Sequence, residues 1–109
     1  MKNIFMSCAL LFSAQLIASE QIANRSVVKI SAYGTYAVVQ IDTPSENSAA
    51  CTRGNAGNYV AINFSGETGK EMYAMVLAAR VSGQKVGFGL TGCYNWGGYT
   101  IPSAYRIDL

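Results

Sequence analysis

The chain has 109 residues, of which 50% are hydrophobic and 13% are charged. The chain has eight Lys and Arg residues and six Asp and Glu residues. The basic residues form no run, so nucleic acid is not an expected partner. The absence of histidine removes the commonest general base and metal ligand, and the carboxylates show no paired spacing of the glycosidase kind. We therefore expect binding rather than catalysis, with no cofactor and no metal.

Residues 1–18 have the order of a secretory signal peptide. Lys2 supplies a positive charge, an apolar run follows, and Ala18 is a small residue before the polar Ser19. The run is too short and too interrupted for a spanning helix, which needs roughly 20 apolar residues. We predict cleavage near Ala18, no membrane span, and a single secreted or periplasmic domain over residues 19–109.

Two of the three cysteines remain after removal of the predicted signal peptide, because Cys8 leaves with it. Cys51 and Cys93 form an even pair in an exported chain, which predicts a disulfide bond. A domain of about 91 residues has a small core and benefits from such a bond. The alternative is two free buried thiols.

Alternating and β-rich segments predict three strands in the first half of the domain. Residues 27–33 and 35–41 form a predicted hairpin with Gly34 in or beside the turn. Residues 43–58 are rich in turn-forming Pro, Ser, Asn and Gly, and they predict a loop region. Residues 59–64 form the third predicted strand.

A helix is predicted over residues 69–82. Thr68 followed by Glu71 matches a capping box, and Gly83 is placed for a left-handed C-terminal stop. The helix is apolar almost all round, which is typical of burial on more than one side and favours a subunit interface. Alternatively, its alanines simply tolerate partial exposure.

Two further strands are predicted after the helix. Residues 86–90 form the fourth strand, and residues 94–99 form an aromatic, glycine-rich loop. Residues 100–109 form the fifth. The predicted fold is therefore mainly β with one helix (α+β), in the order β-β-β-α-β-β. This is the order of the OB-fold, a small five-stranded barrel.

The chain resembles the cell-binding B subunits of pentameric bacterial toxins. The segment 70–86 is similar to their helix and the entry to the next strand, and Gly83-Gln84-Lys85-Val86 and Gly92-Cys93 resemble a broader group of small secreted bacterial proteins. The Cys51…Cys93 spacing is more similar to the subtilase-cytotoxin and pertussis-like B subunits than to the cholera type. The resemblance implies carbohydrate binding, a homo-pentamer, a host-surface glycan as partner and a possible A chain.

The segment after Cys93 contains the strongest candidate ligand-binding residues. Tyr94, Trp96 and Tyr99 offer aromatic faces that stack on sugars, and Asn95 offers an amide for hydroxyl groups. Binding residues concentrate in loops, where this segment is predicted to lie. The alternative is that Trp96 closes one end of the barrel.

Three further residues are candidates for the same surface. Tyr33 and Tyr36 flank the predicted hairpin turn, where the alternative is cross-strand aromatic pairing on a solvent face. Arg53, in the loop beside Cys51, offers paired donors for a carboxylate such as that of a sialic acid. Its alternative is a solvated loop position.

The sequence thus predicts a secreted, non-catalytic, carbohydrate-binding protein similar to a toxin B subunit. The alternative function is a monomeric periplasmic or secreted module that binds a protein target, such as an enzyme inhibitor or an immunity-type protein. A ring-forming B subunit needs edge strands and a helix face that its neighbours cover, whereas an inhibitor stays monomeric.

Overall fold

The computed structural model describes residues 19–52 and 58–109. The predicted signal peptide, residues 1–18, and the candidate Arg53 lie outside the described residues. Within these two ranges, no helix combines the length and the hydropathy that crossing a membrane requires.

The described residues form a mainly β structure with one helix. The elements in chain order are β1 (Ser19–Arg25), β2 (Val27–Ala32), β3 (Tyr36–Ile41), β4 (Tyr59–Asn63), α1 (Gly69–Ser82), β5 (Val86–Trp96) and β6 (Tyr99–Asp108). They build one mixed sheet in the order β1-β5-β6-β4-β3-β2. Only the β4–β6 pair is parallel among the described strands. The broad prediction, mainly β with one helix, is confirmed.

The sheet has six strands where the sequence predicts five, because β1 precedes the first predicted strand. β1 pairs antiparallel with β5, from Ser19 opposite Thr91 to Arg25 opposite Val86. Ile22 is its one buried residue, so the segment shows no alternating pattern. The segment is a strand because it pairs with β5, which lies far along the chain. Its own residues do not show the pattern of a strand.

Ser26, the residue between β1 and β2, makes two hydrogen bonds with Asp42. The Asp42 N–H donates to the Ser26 carbonyl at 3.1 Å, and the Ser26 N–H donates to Asp42 Oδ1 at 3.0 Å. That backbone donor holds the pKa of Asp42 below its usual value, and the nearby Lys85 ammonium acts in the same direction. β1 and β2 are consecutive in the chain, yet they lie at opposite ends of the sheet order.

The main core lies between α1 and one face of the sheet. Its fully or almost fully buried side chains come from β3, β4, α1 and β5, and they include Val39, Ile41, Val60, Ile62, Val76, Val86, Phe88 and Leu90. Alternate residues of β3 and β4 face this core, as a two-residue strand period requires. The intervening residues of the same strands therefore face the opposite side of the sheet.

The helix begins at Gly69 and ends at Ser82, as predicted, but the capping box is wrong. Thr68 makes no side-chain cap hydrogen bond, and its φ of −112° and ψ of 15° are not the extended conformation of a capping residue. Gly83 has the predicted left-handed conformation, with φ of 76°, and its N–H donates to the Ala79 carbonyl. The C-terminal prediction is confirmed.

In the part of the chain that the structure describes, helix α1 is buried on one side. Gly69, Met72, Val76 and Ala79 are its buried residues. The opposite side carries an exposed apolar stripe, formed by Ala74, Leu77, Ala78 and Val81. The apolar sequence left open whether this second side is buried at an interface or partly exposed, and within residues 19–52 and 58–109 nothing covers it.

Candidate functional site

The aromatic segment after Cys93 belongs to a long hairpin and not to the predicted loop. β5 continues to Trp96, which lies opposite Tyr99 of β6. Only Gly97 and Gly98 form the turn, with φ of 59° and 94°. A two-residue hairpin turn of this kind needs a positive φ at both positions, which glycine adopts without steric cost. The turn thus extends both strands and places the aromatic residues on a rigid element.

A β-bulge decides which face these aromatic residues share. Leu90 lies opposite Ala104 and Cys93 opposite Pro102, so β5 has one extra residue between these pairs. One extra residue reverses the alternation of side chains along a strand. Leu90 consequently faces the main core, whereas Tyr94 and Trp96 face the other side of the sheet.

A second, smaller hydrophobic cluster lies on that other side. Its buried members are Val38, Cys51, Ala61 and Ile101. Aromatic rings pack against it and form what we call the aromatic cleft, defined by Tyr33, Tyr36, Tyr59, Tyr94 and Trp96. The sheet therefore has a packed core on one face and an aromatic, partly exposed surface on the other.

Close ring contacts join the two hairpin ends in the aromatic cleft. The rings of Tyr33 and Tyr36 stack with centroids 4.7 Å apart, and the Tyr36 and Tyr94 rings lie 4.9 Å apart. Trp96 lies 5.1 Å from the Tyr59 ring, and its Nε1–H donates to the Tyr33 hydroxyl at 3.3 Å. Four predicted site residues, Tyr33, Tyr36, Tyr94 and Trp96, therefore meet in one place.

The cleft borders a cavity of about 120 Å³. Tyr33, Tyr59 and Trp96 line it together with the polar residues Lys29, Ser31 and Gln40. Tyr59 and these three polar residues are not among the predicted site residues. The alternation in β2 contained a signal for two of them, because Lys29 and Ser31 share the face of the selected Tyr33.

Two other predicted site residues, Asn95 and Tyr99, lie at the end of the β5–β6 hairpin. Asn95 accepts a hydrogen bond from the Gly98 N–H at 3.2 Å, so its side chain supports the turn. Tyr99 is 53% exposed at the end of the hairpin. Arg53 lies outside the described residues, and its predicted role stays a prediction.

The predicted disulfide between Cys51 and Cys93 is confirmed. It fixes the segment before β4 against β5, beside the aromatic cleft. The Asn47 side chain holds the same segment, because Oδ1 accepts from the Cys51 N–H at 3.0 Å and Nδ2 donates to the Cys51 carbonyl at 3.2 Å. The Thr52 N–H donates to Thr100 Oγ1 at 2.8 Å, which ties the segment to β6 as well.

The packing of the cleft raises the pKa of the Tyr36 phenol. Its partial burial raises its pKa above the ordinary value of 10.0, and Tyr33 and Tyr94 add to this because their phenolates would repel a third one. Folding therefore favours the neutral phenol, so Tyr36 supports stability fully below pH 10 and loses that contribution as the pH rises further.

An alkaline titration followed by tyrosinate absorbance tests this expectation. Tyr36→Phe should remove a step above pH 10 from the curve, whereas Tyr105→Phe, outside the cleft, should leave that step in place. A Tyr36→Phe curve that keeps this step would contradict the raised pKa of Tyr36.

The geometry of the cleft provides aromatic faces and hydrogen-bond donors. No three His, Cys, Asp or Glu residues within residues 19–52 and 58–109 lie close enough to hold a metal ion. No protein-family model matches the chain, and neither a curated protein nor a solved structure matches it.

Proposed function

We propose that this protein is a secreted, non-catalytic binding protein that holds a saccharide in the aromatic cleft. The observation that carries the proposal is the Trp96–Tyr33 hydrogen bond, which joins two hairpin ends beside a cavity lined by aromatic and polar residues. Mostly apolar walls with a few polar groups are typical of small-ligand sites. Aromatic rings supply large, rigid contact area to the apolar faces of sugar rings.

The proposed fold is an OB-type barrel in which β1 and β2 are two halves of one bent first strand. Only Ser26 separates them, while β1 pairs with β5 and β2 pairs with β3. OB-folds bind oligonucleotides and oligosaccharides on one face, between the loops that follow their first and fourth strands. When β1 and β2 are counted as one strand, those loops are the β2–β3 and β5–β6 turns. Residues of the aromatic cleft lie beside both turns.

The resemblance to toxin B subunits extends this proposal to a host-surface glycan, a homo-pentamer and a possible A chain. The exposed apolar stripe on α1 supports assembly, because neighbouring copies would cover it. The same stripe favours the second candidate function, a monomeric module that binds a protein target. Native mass spectrometry separates them, since a ring has five times the chain mass and a monomer would remove the B-subunit proposal.

Replacing Trp96 by Ala tests saccharide binding. We expect the variant to lose at least about tenfold in glycan affinity, because one aromatic stacking contact contributes about 0.5–1.5 kcal/mol beyond the area that it buries. Binding is measured on a glycan array and then by calorimetry with the best glycan. Thermal unfolding checks that the variant remains folded.

Tyr105→Ala is the matched control, because it removes a 45% exposed aromatic side chain outside the cleft. The control should bind like the unmodified protein. Equal binding by Trp96→Ala and Tyr105→Ala would move the site away from the cleft, and binding of no glycan by the unmodified protein would reject the proposed function.

A further inference from the structure

A second β-bulge turns a lysine onto the cleft face of the sheet. Val27 lies opposite Ile41 and Lys29 opposite Gln40, so β2 has one extra residue, Val28, between these pairs. Val27 is buried in the main core, and without the bulge Lys29 would follow it onto the same face. Bulges commonly re-aim side chains beside functional sites. The bulge leaves the apolar side chain of Val28 45% exposed.

Three polar side chains consequently line the cavity without partners of their own. Lys29 and Gln40 are direct cross-strand neighbours, and Ser31 is the next residue of β2 on the same face. Within residues 19–52 and 58–109, none of these three side chains makes a hydrogen bond or an ion pair. Their donors are therefore available to a ligand that the aromatic rings hold.

The charge beside the rings has one sign. Among the described residues, those that line the cavity include the Lys29 ammonium and no carboxylate. Asp42 follows Gln40 by two positions on the chain, but its carboxylate accepts the Ser26 N–H at 3.0 Å. An anionic group placed in the cavity would therefore meet a cation without a competing protein anion.

We propose that the aromatic cleft selects an anionic saccharide, with Lys29 contacting its carboxylate or sulfate group. Gln40 and Ser31 hydrogen-bond to neighbouring hydroxyl groups, while the aromatic rings pack on the sugar faces. This inference rests on the proposed function, since it names the class of ligand for the same cleft. A hydrogen bond between an ammonium and an anion is stronger than a neutral one, so Lys29 sets the preference.

A glycan array with neutral, carboxylated and sulfated members tests the inference. The unmodified protein should prefer acidic glycans by about tenfold over their neutral counterparts, and the preference should shrink as salt is raised. Lys29→Gln should remove the preference while binding to neutral glycans persists. The carboxylated and sulfated members show which anion the cleft takes.

Lys70→Gln is the matched control, because it removes the same charge from an exposed position on α1, away from the cavity. It should retain the full preference. The role of Lys29 would be overturned if the two lysine variants behaved alike, or if the unmodified protein preferred neutral glycans. Saccharide binding in the cleft would stand in either case. Binding of no glycan by the unmodified protein would overturn both proposals, and Trp96→Ala should lose neutral and acidic glycans alike.

Discussion

Reduction of the Cys51–Cys93 disulfide is expected to lower the unfolding temperature by up to about 15–30 °C. The bond joins residues 42 positions apart, and the segment that it closes contains β4 and α1. On the chain-entropy estimate, closing a loop of that length contributes about 4 kcal/mol at most. In a domain of this size, 1 kcal/mol shifts the midpoint by roughly 4–8 °C. Calorimetry with and without reductant measures the difference.

A variant with both cysteines replaced by alanine provides the control. It should unfold at the low temperature of the reduced protein, and reductant should not change it further. The Asn47 and Thr52 hydrogen bonds hold the same segment, so the reduced protein should remain folded at low temperature. If reductant left the unfolding temperature unchanged, the disulfide would not stabilise the protein by restricting the conformations of the unfolded chain.

The sequence predicted the parts of the fold that depend on residues close together in the chain. The helix ends at Gly83 because glycine adopts the left-handed conformation at low cost, whatever surrounds it. β3 and β4 were predicted because their own residues are rich in β-branched and aromatic types. The disulfide followed from an even cysteine count in an exported chain.

The parts that sequence did not predict depend on partners far along the chain. β1 exists because β5 offers an edge to it, and its one buried residue, Ile22, leaves no pattern to recognise. Thr68 matches a capping residue in type but has a different backbone conformation. The 94–99 segment was assigned to a loop because of its glycines, yet Gly97 and Gly98 form only the turn between two long strands.

The candidate site was predictable in its residue types and not in its geometry. Aromatic residues at two predicted turns indicated a common surface, and the contact between Tyr33 and Trp96, which are 63 residues apart, brings them together. The alternation of β2 places Lys29 and Ser31 on the face of Tyr33, so these two polar residues could have been selected. The bulge that leaves Val28 exposed could not be predicted. The position of a bulge depends on the register of the partner strand, which no local pattern of residues specifies.

Gly69→Ala is expected to destabilise the protein although alanine is the better helix former. A Cβ atom at position 69 would overlap the Asn63 carbonyl oxygen and lie 2.9 Å from the Phe64 Cα atom. Both are backbone atoms at the end of β4, so no side-chain rotation relieves the clash. Overpacking of this kind typically costs about 1–3 kcal/mol. Gly69 is the first residue of α1, where the gain in helix propensity is smaller than the roughly 1 kcal/mol of a helix interior.

Gly66→Ala separates that clash from the general effect of replacing a glycine. A Cβ atom at position 66 would lie 3.6 Å from the Asn63 carbonyl oxygen, which is an ordinary contact. This variant should be neutral or gain up to about 1 kcal/mol, because alanine restricts the unfolded chain. Chemical denaturation of both variants measures the difference. If Gly69→Ala were as stable as Gly66→Ala, the first turn of α1 would not pack against the end of β4, and the covered side of the helix would have to be reassigned.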